Sequence, residues 1–143
     1  MQKFRKAAAY LVVIASVAVA TSPSFAQSTI RSVDPGPRLL ESYIAYIGPQ
    51  DLYNSRGIRL TEPWQILRQD RANFHRYGKA DRADQYDSFF ADERNRAAKE
   101  VMLMRGTIQA RAARDLVSGG AMILVEIYGR GSVGEYIDVS VMR

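Results

Sequence analysis

The sequence predicts a small α+β domain: about three helices packed on one side of an antiparallel sheet that includes a C-terminal β-hairpin. Three observations carry that expectation. Residues 122–128 and 136–142 are rich in β-branched and aromatic side chains and flank a glycine-rich segment, Gly129-Arg130-Gly131-Ser132-Val133-Gly134. Pairing Ile127 with Ile137, Val125 with Val139 and Ile123 with Val141 puts six β-branched residues on one face. The other face then carries Glu126, Tyr128, Tyr136, Asp138 and Ser140 and meets water. Upstream, apolar residues recur at helical spacing in three stretches separated by glycine or polar breaks.

The chain opens with a different kind of segment. Lys3, Arg5 and Lys6 form a basic start without an acid, and residues 7–20 are apolar apart from Ser16. Thr21-Ser22-Pro23 breaks that run, and Ser24-Phe25-Ala26 gives the small-x-small pattern of a signal-peptidase site. A membrane-spanning helix needs about 20 apolar residues, more than this run supplies. Residues 1–26 are therefore predicted to be a cleavable Sec-type signal peptide, with the protein periplasmic or secreted and no stable membrane anchor after cleavage. A lipid anchor is excluded because the chain has no cysteine, and the basic start lacks an Arg-Arg pair.

Removing 26 residues from 143 leaves 117, the size of one domain. A chain of that length buries roughly two-thirds of its unfolded surface, enough for a core without disulfides. The formal charge of +5 falls to +2 once Lys3, Arg5 and Lys6 are gone, with 17 basic residues against 15 acidic. Such a balance speaks against a nucleic-acid partner, which calls for a clustered basic face. The lack of cysteine also excludes thiol catalysis, cysteine-based zinc sites and covalent haem attachment. No cofactor is predicted.

Residues 27–37 contain Asp34-Pro35-Gly36-Pro37 and read as a flexible lead-in. Residues 38–143 form the single domain. Residues 38–47 fit helical spacing through Leu40, Tyr43, Ile44 and Ile47, yet Tyr43-Ile44-Ala45-Tyr46-Ile47 also has strand composition. A strand is favoured, because the C-terminal hairpin needs a partner. Residues 48–60 read as an ordered loop with turn chemistry at Asn54-Ser55-Arg56-Gly57.

The first helix is predicted to start at Thr61 as N-cap, with Glu62 and Pro63 in its first turn. Trp64, Leu67 and Phe74 mark its apolar stripe, and it ends by Gly78. Residues 79–88 read as a solvated, irregular loop. A second helix runs from about Asp92 to Arg105. Phe90, Ala97, Val101 and Met104 are its expected buried stripe, with an Asp92, Arg96, Glu100 ladder facing water. Thr107 then caps a third helix ending near Val117, with Ile108, Ala112 and Leu116 inward and Gly119-Gly120 beyond it.

The only histidine, His75, must serve any histidine-dependent mechanism. Asp70, five residues earlier, lies about 140° away around a helix and cannot face it, whereas Arg71 shares its side. No G-x-S-x-G nucleophile elbow is present. Asp81, Asp84 and Asp87 repeat every three residues, but the EF-hand pattern is missing, so no metal site is predicted. The glycine-rich segment 129–134 leads into a strand and offers no helix N-terminus for a phosphate.

Residues 50–77 remain. They concentrate Arg, amide and carboxylate groups among Tyr53, Trp64 and Phe74. Part of that set should tie the 48–60 loop to the first helix. The rest suits a recognition surface, with Asp51, Asn54, Arg59, Arg68, Asp70, Arg71 and His75 as candidates. The expected function is a small, non-enzymatic binding or interaction domain of the cell envelope or medium. Its partner would be an envelope protein, a peptide or an anionic glycan. Two alternatives stand beside it: a small envelope hydrolase using His75 or Asp51 with an Arg, and a structural envelope protein assembling through a sheet edge. No residue is assigned a catalytic role, and the sequence leaves the oligomeric state open.

Overall fold

The structure is a computed structural model that describes residues 34–142. The signal-peptide reading and residues 27–33 of the lead-in lie outside the described residues. Residues 34–37 have no regular structure. Strand β1 (Arg38–Ile47) comes first, followed by a 3-10 turn (Pro49–Leu52) and helix α1 (Pro63–His75). Helices α2 (Glu93–Arg105) and α3 (Ala110–Ser118) follow, and strands β2 (Ala121–Arg130) and β3 (Val133–Val141) end the chain. The strands form one antiparallel sheet in the order β1-β2-β3, so the α+β architecture is as the sequence predicts.

Residues 38–47 are a strand. Glycine ends its run, and its alternation puts Tyr43, Ala45 and Ile47 inside. The hairpin pairs Ile127 with Ile137, Val125 with Val139 and Ile123 with Val141, the register that β-branched alternation requires. Its loop is tighter than the glycine content suggests. A register shift after Tyr128 lets Gly129 and Arg130 stay in the ladder, so the turn narrows to Gly131-Ser132 with Gly131 at positive φ. The inward sheet face packs on Ile66, Leu67, Phe90, Met102, Leu103, Ala112 and Leu116 from the helical layer and its flanking segment. Contact between apolar surfaces of this kind supplies most of the folding free energy.

Three local expectations need correction. The caps of α1 and α3 are Glu62 and Gln109 rather than Thr61 and Thr107, since Pro63 takes the first helical position of α1 and residues 107–109 run beside β3 before α3 begins. The buried face of α2 is turned away from the predicted stripe. Val101 and Met104 are 49% and 75% exposed, while Lys99, Met102 and Leu103 point inward. A lysine inside the protein is the reason, because its amine finds Tyr43 and the Leu67 carbonyl there. The solvent ladder is also absent: Asp92 caps α2, Arg96 donates to the Phe90 and Ala91 carbonyls, and Glu100 pairs with Arg68. Third, residues 79–88 are irregular but not solvated throughout, since the Asp84 and Asp87 side chains are only 3% and 0% exposed.

That loop closes one edge of the sheet. Asp84 accepts the Tyr46 N–H, Gln85 accepts the Ile44 N–H through its side chain, and its own N–H donates to the Ile44 carbonyl. Farther along β1, Glu41 accepts hydrogen bonds from Ser88 and from the Phe89 N–H. On the opposite edge, residues 107–109 run beside β3. The Val139 N–H donates to Thr107 and its carbonyl accepts from Gln109. At both edges, some backbone groups that would otherwise stand unpaired, those of Ile44, Tyr46 and Val139, are thus satisfied within the chain.

Candidate functional site

The C-terminal half of α1 carries polar groups on two sides. On its inner side, Arg71 is completely buried. Its guanidinium lies 4.4 Å from the Tyr43 and Phe74 ring centres and donates to both oxygens of Asp70, at 2.7 and 3.2 Å. It also reaches Asp87 at 3.0 Å and the Gln85 carbonyl at 3.2 Å. Such planar, multiply bonded geometry is open to arginine and not to lysine.

The network extends in both directions from that centre. His75 Nε2 lies 2.9 Å from the same Asp87 oxygen that Arg71 uses, and the other Asp87 oxygen accepts the Phe90 N–H. Lys99, fully buried, donates to Tyr43 Oη at 2.9 Å and to the Leu67 carbonyl at 2.8 Å, and its amine sits 4.4 Å from the Phe90 ring centre. Among the described residues, no buried side-chain polar atom lacks a partner.

Burial and neighbouring charge pull these groups apart in proton affinity. Burial raises the Asp70 carboxyl above its ordinary range, although Arg71 opposes the shift. Asp87 is buried as well, but hydrogen bonds from His75, Phe90 and Arg71 outweigh that cost and hold it below the usual value. Burial lowers Lys99 to about 7, with Asp70 acting against it. Tyr43 is pushed well above 10, again mainly by burial. The phenol and amine are therefore held as hydrogen-bonding parts of the interior.

The outer side of the same helix faces a cleft of about 320 Å³. Its floor is fixed by Asp51, whose carboxylate accepts the Gly48 N–H at 2.9 Å and the Asn73 side-chain N–H at 2.8 Å. Burial, with the charge of Asp70, raises Asp51 to about 6. Asn73 Oδ1 in turn accepts from Gln69 at 2.9 Å. Gln50, Asn54, Gln69 and Asn73 thus line the cleft with amides, beside Tyr53, Tyr77 and Lys79. The Asn54 side chain shapes its rim by accepting the N–H groups of Arg56 and Ile58.

The seven residues singled out from the sequence do not form one surface. Asp51, Asp70 and Arg71 are buried, and their carboxylates and guanidinium are engaged with one another or with the backbone. The His75 side chain is only 6% exposed and is held by Asp87. Arg59 donates to the Val117 carbonyl, and Arg68 lies in solvent near Glu100 at 3.5 Å. Only Asn54 of the seven lines the cleft. Lys99, Asp84, Asp87 and Tyr43 are the polar participants that sequence reasoning missed. Their one local signal is the spacing of Lys99, three and four residues before Met102 and Leu103, which puts an amine on an apolar stripe.

Asp70, Asp84 and Asp87 surround a cation already in place, the Arg71 guanidinium. Among the described residues, no group of three His, Asp or Glu side chains is arranged to hold a metal ion. No described helix is long and apolar enough to cross a membrane. These features define a cysteine-free α+β domain built around an internal ion network, with an amide- and tyrosine-lined cleft at its surface. Comparison of the chain with protein-family models, characterised proteins and solved structures finds no match.

Proposed function

We propose that this protein is a small, exported, non-enzymatic binding domain whose ligand occupies the cleft between residues 50–55 and the outer side of α1. The observation that carries this reading is the convergence of four amides, two tyrosines and Lys79 on one concave surface. Amides supply both donors and acceptors, and tyrosines supply apolar faces with a polar tip. Lys79 adds a point charge suited to a carboxylate. The favoured ligand is therefore polar and carboxylate-bearing, such as the uronate of an anionic glycan or an acidic peptide end. The underlying Asp51–Asn73 bond keeps the walls in position before the ligand arrives, which lowers the entropic cost of binding.

The rival readings have less support. Among the described residues, the side-chain hydrogen bond of His75 goes to Asp87 and not to a hydroxyl that it could activate as a nucleophile. Asp51 is committed to Gly48 and Asn73. Residues 84–85 and 107–109 already occupy part of each sheet edge, so assembly at those positions would have to displace them.

The test is an NMR titration of the ¹⁵N-labelled chain 27–143 with an oligogalacturonate, and separately with a short Asp-rich peptide. Shifts confined to Gln50, Asn54, Gln69, Asn73 and Tyr77, weakened at least fivefold by Lys79→Ala and by Gln69→Ala, are expected with one of them. Absence of cleft shifts with both, or shifts indifferent to both substitutions, would overturn the reading.

A further inference from the structure

The sheet has a second, uncovered side. All three helices pack on the inward face, and no described element lies over the outward one. Register places its side chains in rows across the strands. Tyr46 and Met122 form one row, Ile44, Leu124 and Ser140 the next, then Ser42, Glu126 and Asp138, and finally Leu39, Tyr128 and Tyr136. Leu39 and Met122 are 48% and 40% exposed, and the two tyrosine rings stack with centres 4.9 Å apart. This face is therefore apolar or aromatic at both ends and acidic across its middle.

The acidic row is unusual in its placement. Glu126 and Asp138 are direct cross-strand partners, an arrangement in which like charges repel. No Lys or Arg among the described residues forms an ion pair with either. Asp138 is held in place by the Thr107 N–H at 2.7 Å, and a shallow cleft of about 260 Å³ lies over the row between β2 and residues 107–109.

We infer that this outward sheet face docks a segment of another protein that is apolar at its ends and carries Arg or Lys at its centre. Charge complementarity selects that occupant. A second copy meeting the first face to face would bring two acidic rows together and bury four carboxylates without a counter-charge. A purely apolar segment would desolvate Glu126 and Asp138 and give nothing back. A central guanidinium can bridge both carboxylates, while its flanks cover Leu124 on one side and the stacked tyrosines on the other. This surface is separate from the α1 cleft and does not depend on what binds there.

The experiment titrates the labelled chain 27–143 with two capped eleven-residue peptides of alternating Val and Ser. They differ only in a central Arg or a central Glu. The Arg peptide is expected to shift the amides of Leu124, Glu126, Tyr128, Tyr136 and Asp138 and to lose affinity as salt rises. The Glu peptide should bind at least tenfold more weakly. In the double variant Glu126→Gln/Asp138→Asn that preference should vanish, while its melting temperature is equal to or above that of the parent because the cross-strand repulsion is gone. Equal binding of both peptides, no binding of either, or shifts on this face that depend on protein concentration alone would overturn the inference.

Discussion

Arg71 shows how much one side chain determines. Among the described residues its guanidinium is the only positive group that touches Asp70 and Asp87 together, and it does so between two aromatic rings with no exposure to water. Arg71→Met would leave those carboxylates buried without their partner, a situation that costs about 3–5 kcal/mol. Against a typical domain stability of about 5–15 kcal/mol, the variant should be close to unfolding, with a large fall in the urea midpoint. Arg68→Met, at an exposed pair, should move that midpoint by less than about 0.5 kcal/mol in free energy. Comparable small effects for both would show that the network does not stabilise the fold. The sequence reveals Asp70, Arg71 and His75 as neighbours, but helical spacing reports only same-helix relations. The partner that joins Arg71 to His75 is Asp87, from a loop, and no periodicity announces it. For the same reason the cluster was legible as polar and not legible as internal.

At the scale of elements, the hairpin register was legible because period-two alternation of β-branched residues has only one arrangement that buries them, whereas residues 38–47 also fit helical spacing and read as a strand only because the hairpin needs a partner. The buried face of α2 was not, since assigning Lys99 to water is the default for a lysine and the stripe follows from that assignment. The junction after α2 shows a constraint that sequence discloses only as a helix stop. A Cβ on Gly106 would run into the backbone carbonyl of Ile137 in β3. Gly106 has an ordinary negative φ, so the requirement is closeness of approach and not backbone conformation. Gly106→Ala should force residues 106–109 away from β3 and weaken the Thr107–Val139 and Val139–Gln109 hydrogen bonds. Overpacking of this kind costs about 1–3 kcal/mol, read as a lowered melting temperature with faster amide exchange at Val139 and Gln109. Gly57→Ala, where the added methyl meets open space and only the positive φ opposes it, should lower stability by about 1 kcal/mol with no change in exchange on β3. Equal exchange at Val139 in both variants would contradict the close-contact account.

For the molecule as a whole, the buried titrating groups predict an unusual stability profile. Asp51 has a folded value of about 6 against an ordinary 3.8, so the folded state holds its proton more tightly. Its stabilising contribution is complete below about 4 and disappears as pH rises to about 6, and Asp70 shifts in the same direction. Lys99 behaves oppositely. Its folded value of about 7 lies below the ordinary 10.5, so the unfolded chain binds more protons between those limits and stability rises with pH there. The two slopes meet near pH 6 to 7, where Asp51 is ionised and Lys99 is still charged, and the melting temperature should pass through a minimum. Below about pH 4 a separate loss begins, because Asp87 must be protonated although its folded value lies below the ordinary one. Above pH 10 the rise should stop, since Tyr43 resists ionisation in the fold. Thermal melts from pH 4.5 to 9.5 at constant ionic strength read the profile directly. Asp51→Asn should make its acidic limb shallower, leaving the part that Asp70 contributes, and Lys99→Met should flatten its alkaline limb. A broad maximum near neutrality in the parent would mean that Lys99 and Asp51 keep ordinary proton affinities, and that water reaches the interior this structure closes.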